Sequence, residues 1–235
     1  MLGTLVNAAA ILLGGAAGLL LKNGLKENFR DILNQAVSLA VVFVGLGGCV
    51  GNMLASGAHP VLFIVSLALG GLLGEGLRIE ARLEGLGNWL QAKVQKNGGG
   101  GGFSKGFVAG SLVFCVGTMA VLGSLESGMQ GNHSILFAKS LLDGIIALVM
   151  AGTLGVGVVF SAGSVLVYQG VLTALASLLS PFVTGDMLRE IGIVGGILIC
   201  AIGLNMLGVT RIRTGNLLPA LLGPVVYYAV AGLLG

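Results

Sequence analysis

The chain has 235 residues, of which 55% are hydrophobic and only 9% are charged. Because an ordinary soluble domain carries about 25% charged residues, this composition excludes a soluble globular protein. The formal net charge of +3 is small, and the basic residues lie between long apolar runs, so they indicate membrane orientation rather than nucleic-acid binding. The composition therefore predicts an all-α, polytopic transmembrane helix bundle.

Apolar runs of the length that a membrane helix needs, about 20 residues, recur along the chain. They predict eight spans, at about 2–21, 36–55, 60–77, 106–125, 140–160, 162–182, 191–209 and 216–234. The fifth and sixth spans form one apolar tract, and the stretch from Ser161 to Ser164 is the expected turn between them. If this tract instead holds one span and a re-entrant piece, the number falls to seven.

The basic residues favour eight spans with the N-terminus outside. No basic segment precedes the first run, which argues against a cleaved signal and for a span that stays. In this layout ten of the twelve basic residues lie in cytoplasmic segments, and only Lys139 and Arg189 do not. Seven spans would place Arg211 and Arg213 outside as well.

The segment 78–104 differs from its surroundings. Apolar residues recur at spacings of three and four over 77–96, with charged residues on the other face and Trp89 beside them, which predicts a helix on the cytoplasmic membrane surface. The five glycines at 98–102 predict a flexible linker.

The two ends of the chain resemble each other, which indicates an internal repeat within a single integral membrane domain, 1–235. Arg30-Asp31-Ile32 is similar to Arg189-Glu190-Ile191, and Pro60 follows Arg30 at the same distance as Pro219 follows Arg189. The two copies would be the first three spans (1–77) and the last three (161–235), with the central spans (105–160) between them. They are then offset by an odd number of spans. The copies would cross the membrane in opposite directions, as in many secondary transporters.

Glycines and cysteines indicate close packing rather than chemistry. Four Gly-x-x-x-Gly pairs, at 14 and 18, 70 and 74, 106 and 110, and 192 and 196, suit close approach of membrane helices. Such faces also suit a homo-oligomer. The three cysteines are scattered in apolar runs and indicate neither a disulfide framework nor a metal site.

Ionisable residues near the middle of the chain are the leading functional candidates. Lys139 and Asp143 are four residues apart and lie on one face of the fifth span. In one interpretation they form a gate or ion-binding site, joined by Glu126 from the end of the fourth span. In the other, Lys139 reaches the outer interface, Asp143 serves the first helical turn, and Glu126 is solvated.

Uncharged polar residues inside the last spans are further candidates. Gln169 and Tyr168 lie in the sixth span, and Asn205 is expected near mid-membrane in the seventh. Hydrogen bonds between helices explain most such residues. Together with Pro219 and Pro224 they also suit broken helices around a polar cavity.

Long stretches resemble a known family, the YqgA/YdfK-type bacterial membrane proteins (domain-of-unknown-function family 554). They are LGTLVNAAAILLGGAAG at 2–18, SLVFCVGTMAVLGSLESGMQGNHSILFAKSLLDG at 111–144, SAGSVLVYQGVLTALA at 161–176 and GLNMLGVTRIRTGNLLPAL at 203–221. The resemblance implies a multi-pass protein of the bacterial inner membrane. Thr118 stands where the family often has proline, which would soften a kink in the fourth span.

Two functional hypotheses follow. The first is a channel or secondary transporter for a small ion or small polar solute, with a cation or proton favoured because acids outnumber bases around the fourth and fifth spans. The second is a membrane scaffold or assembly partner that transports nothing. No nucleophile, phosphate loop or metal-ligand spacing indicates an enzyme or a cofactor.

Overall fold

A computed structural model describes residues 1–24, 27–94 and 103–234, and over these ranges the chain is helical and has no strand. The predicted all-α fold is confirmed. The α-helices are α1 (Leu2–Gly24), α2 (Glu27–Met53), α3 (Pro60–Leu77), α4 (Ile79–Val94), α5 (Phe103–Cys115), α6 (Thr118–Met129), α7 (Ser134–Leu154), α8 (Gly157–Ala174), α9 (Ala176–Leu179), α10 (Gly185–Met206) and α11 (Leu222–Leu234). Two 3₁₀ helices cover Ser180–Phe182 and Thr214–Leu221.

Within the described ranges, seven helices are long and apolar enough to cross a membrane, and a bent pair formed by α5 and α6 would be an eighth. Many large apolar side chains on these helices are exposed, including Leu13, Leu20 and Leu72. Such a surface is stable against lipid and not against water. The amphipathic segment after α3 forms helix α4 as predicted, whereas the glycine linker at 98–102 lies outside the described residues.

The turn between the fifth and sixth spans was predicted at the wrong place. It lies at Gly155, whose φ of +84° suits glycine and ends α7, whereas Ser161 to Ser164 lie inside α8. Ser161 Oγ donates to the carbonyl of Val158 at 2.5 Å, so its hydroxyl is satisfied without breaking the helix. Helix α7 covers Ser134–Leu154, so Lys139 and Asp143 lie inside it rather than at its start.

The fourth span is broken, although a continuous helix was predicted for 106–125. Helix α5 ends at Cys115, α6 begins at Thr118, and the two are bent by 61°. Gly117 between them has φ +149°, a value that other residues rarely adopt. The break therefore needs this glycine and does not need a proline at 118.

The last span is also irregular, as its prolines indicated. Its first part is the 3₁₀ helix, which contains Pro219. Asn216 lies in this 3₁₀ helix, where its Oδ1 accepts from the N–H of Glu80 at 2.7 Å and its Nδ2 donates to Glu75 Oε2 at 2.8 Å. Glu75 also forms an ion pair with Arg213.

The chain divides into two compact units. The first contains Met1–Val37, Arg82–Cys115 and Met119–Leu178, and the second contains Ser38–Ala81, Val116–Thr118 and Leu179–Gly235. In the first unit α1 packs closely along α7. The contact is so close that a Cβ at Gly14 would overlap the carbonyl oxygen of Gly144, and a Cβ at Gly18 would overlap that of Leu148. In the second unit α2 packs on α10, and α3 packs on the 3₁₀ helix 214–221, again through glycines. All four predicted glycine pairs face a neighbouring helix.

Candidate functional site

The charged residues on α7 form a buried ion pair in the first unit. The Lys139 ammonium group donates to Asp143 Oδ2, and only 7% of each side chain is exposed. Lys139 is therefore buried against neighbouring helices instead of extending to the protein surface. Helix α7 begins five residues before Lys139, and both side chains are buried in contact with neighbouring helices.

The ammonium group of Lys139 has a second partner that exists only because the fourth span is broken. Its Nζ donates to the carbonyl oxygen of Phe114 at 2.8 Å. Phe114 is in the last turn of α5, where carbonyl groups have no N–H partner within the helix and carry the negative end of the helix dipole. The break at Gly117 thus supplies an acceptor that stabilises a positive charge.

Two amide side chains complete the site from α1 and α8. Asn7 Nδ2 donates to Asp143 Oδ2 at 3.0 Å and to Gln169 Oε1 at 3.3 Å. Both amides are fully buried, and Asn7 Oδ1 and Gln169 Nε2 have no hydrogen-bond partner in the described part of the chain. We call the four residues Asn7, Lys139, Asp143 and Gln169 the polar cluster.

The polar cluster surrounds the Lys139 ammonium group with oxygen atoms. The ion pair is neutral as a whole, and its ammonium lies against a carboxylate oxygen and a carbonyl oxygen. The free oxygen of Asn7 is a further acceptor in the cluster. Oxygen atoms of these kinds are the ligands that hard cations prefer.

The structure does not bring all the predicted residues together. Gln169 is in the polar cluster, and Tyr168, the residue before it on α8, is half-buried. Glu126 accepts from Asn132 at 3.2 Å near the α6–α7 connection and, among the described residues, has no hydrogen bond or ion pair with Lys139 or Asp143.

Asn205 lies near the end of α10 rather than at mid-membrane. Its amide accepts from the N–H of Ile212 and the hydroxyl of Thr210, both at 2.8 Å, and donates to the Ile212 carbonyl at 2.7 Å. These bonds hold the connection after α10, so the contacts of Asn205 are those of a structural residue.

Asn7 was missed in the sequence, although a signal was present. It is the only amide in the first apolar run, at 2–21. A polar side chain within such a run needs a partner on another helix. The Phe114 carbonyl could not be found in this way, because every residue has one and only the helix break frees it.

Apolar spans with lipid-compatible surfaces and a buried charged cluster define a multi-pass integral membrane protein. The chain belongs to the family described as "Protein of unknown function (DUF554)", which matches residues 2–229, and the resemblance seen in the sequence is thereby confirmed.

Two relatives match over almost their whole length. "Uncharacterized membrane protein YdfK" of Bacillus subtilis (strain 168) is 37% identical over 231 residues, which are 98% of this chain and 97% of the relative. "Uncharacterized protein YqgA" of Escherichia coli (strain K12) is 32% identical over 229 residues, 94% of each chain. No solved structure matches the chain significantly.

Proposed function

We propose that this protein is a secondary transporter or channel of the bacterial inner membrane for a small ion, with a cation or proton as the favoured species. The observation that carries the proposal is the Lys139–Asp143 ion pair, buried within the apolar span α7. Charges are costly in such a position and usually mark ion or proton pathways. The proposal includes no enzymatic step and no partner other than lipid, the ion and further copies of the chain.

The contacts of Lys139 suggest how an ion would bind. Its ammonium group lies between Asp143 Oδ2 and the Phe114 carbonyl, which is where a cation bound to the same oxygens would lie. Two positive charges cannot share this position in a low-dielectric environment. A bound cation therefore requires the Lys139 ammonium group to move away from these two oxygen atoms.

The crossing of α2 and α10 in the second unit supports a transporter. Gly45 faces Cys200, and Gly203 faces Val42, each at a distance that leaves no room for a Cβ. Positions 45 and 203 and positions 42 and 200 are both 158 residues apart, close to the offset that relates Arg30 to Arg189 in the sequence. An inverted repeat predicts this symmetry, and such repeats are typical of secondary transporters.

The test is ion flux into proteoliposomes that contain the purified full chain, measured for a panel of monovalent cations and for protons. We expect wild-type flux for at least one of these ions and a loss of at least about tenfold in Asp143→Asn, which leaves the buried ammonium without its counter-charge. Glu126→Gln is the matched control, because this carboxylate is outside the polar cluster, and its flux should equal that of the wild type.

Equal flux in Asp143→Asn and wild type would remove Asp143 from the mechanism. If the folded wild-type protein moved none of the ions, the transport proposal would be wrong and the scaffold hypothesis would stand in its place.

A further inference from the structure

A second buried carboxylate lies in the second unit, away from the residues so far assigned a role. Glu190 is in the second turn of α10 and has no exposed surface. Its Oε1 accepts a hydrogen bond from the backbone N–H of His59 at 2.6 Å, whereas its Oε2 is buried and has no partner in the described part of the chain.

In the described part of the chain, no ion pair joins Glu190 to Arg189, its neighbour in the sequence. Arg189 Nη2 is 2.8 Å from Asp186 Oδ1, and the Asp186 side chain is 58% exposed. Arg189 Nη1 lies against the α2–α3 connection at Gly57 and has no hydrogen-bond partner among the described residues. The ion-pair partner of Arg189 is therefore the surface carboxylate of Asp186.

The remaining groups around Glu190 come from the start of α3 and from α11. The Tyr228 hydroxyl is buried without a hydrogen-bond partner in the described ranges, and it interacts electrostatically with Glu190, Asp186 and Arg189. The ring of Tyr227 lies 5.1 Å from that of Tyr228 and 6.0 Å from that of His59. Neither tyrosine brings a positive charge.

A carboxylate in this position needs a positive charge on its free oxygen. One backbone N–H does not offset the several kcal/mol that an ionised, unpaired carboxylate costs in an apolar span. A divalent cation prefers several charged ligands, and no group of three metal-ligating side chains occurs in the residues that the structure describes. One buried carboxylate is neutralised by a single positive charge, and the smallest species with that charge is a proton.

We propose that Glu190 is a proton-binding carboxyl group, which takes up its proton on Oε2 and releases it when the surrounding helices admit water. The proposal does not rest on ion transport by the polar cluster, because proton binding at Glu190 can be measured without flux.

The first test uses dicyclohexylcarbodiimide, which modifies protonated carboxyl groups in apolar surroundings, on the purified full chain. We expect modification of Glu190, detected by peptide mass spectrometry, to be faster at acidic than at alkaline pH and to disappear in Glu190→Gln. Glu126→Gln is the control and should leave modification of Glu190 unchanged. Slower modification in Na⁺ than in choline at constant pH would assign a metal cation to the site and overturn the proton.

A second measurement keeps the proposal testable if the reagent does not reach Glu190. Infrared difference spectra between acidic and alkaline pH should contain the C=O stretching band of a protonated carboxylic acid that is missing in Glu190→Gln. Identical spectra from correctly folded wild type and Glu190→Gln, together with no modification of Glu190, would refute proton binding there.

Discussion

Asp143 accepts hydrogen bonds from Lys139 on its own helix and from Asn7 on α1, and each donor lowers the cost of holding its charge away from water. The Lys139 ammonium is stabilised in turn by the carbonyl at the end of α5. At the scale of single residues, the polar cluster is thus a set of mutually dependent partners. Removing one of them leaves the others buried without compensation.

This dependence predicts a strongly non-additive pair of substitutions. Asp143→Leu and Lys139→Met should each lower the free energy of unfolding by about 3–5 kcal/mol, because each leaves one buried charge unpaired. The double variant should recover most of the loss, since an apolar pair has no charge to desolvate. Denaturant unfolding in detergent micelles measures all three.

The exposed pair Glu75–Arg213 is the control for this cycle. Its side chains are 55% and 65% exposed, so Arg213→Met should cost less than about 1 kcal/mol. If the double variant at 139 and 143 lost the sum of the two single effects, the two residues would not act as a pair.

At the scale of secondary-structure elements, helix breaks and helix contacts decide where the polar groups lie. The break at Gly117 frees the Phe114 carbonyl, and the close approach of α1 to α7 brings Asn7 to Asp143. The contact of α1 with α7 depends on glycines, since the backbone carbonyls of α7 occupy the space that a larger residue on α1 would need.

Gly18 gives a direct test of this contact. Gly18→Ala should lower the free energy of unfolding by about 1–3 kcal/mol, because its Cβ would overlap the Leu148 carbonyl and the helices would have to separate. Gly163→Ala on α8 is the control: its Cβ would have nothing within 4 Å. That variant should be as stable as the wild type, or up to about 1 kcal/mol more stable because alanine favours helix. Thermal unfolding in detergent compares the two, and equal stability would show that α1 tolerates a shift.

For the whole molecule, the path of the bent α5–α6 pair through the membrane sets the topology. If the pair crosses the bilayer, the chain has eight spans and both termini lie outside, as the distribution of basic residues predicts. If the pair enters and returns on the same side, seven spans remain and the orientation of everything after it is reversed.

Cysteine labelling distinguishes these arrangements. In a variant without Cys49, Cys115 and Cys200, we expect Glu84→Cys on α4 to react with a membrane-impermeant maleimide only from the cytoplasmic side, and Asn132→Cys only from the outside. Labelling of both positions from one side would mean that α5 and α6 form a re-entrant loop.

Several features of the fold were predictable because they depend on short stretches of sequence. The positions of α1, α3 and α4 follow from apolar runs and from helical periodicity, which need no knowledge of the rest of the chain. The turn after α7 and the break in the fourth span were not predicted. Both depend on the φ angle of one glycine, and in a chain with 43 glycines the residue type does not indicate which of them has a positive φ.

Membership of the helical membrane class was determined by the sequence alone, because the length and polarity of each apolar run measure its fit to a bilayer directly. The partners of the buried carboxylates Asp143 and Glu190 were decided only by the tertiary structure. Asn7 is 136 positions from Asp143, and His59 is 131 positions from Glu190. Whether a charged residue at a helix end meets water or a buried partner depends on which helices pack beside it, and that is a property of the folded chain.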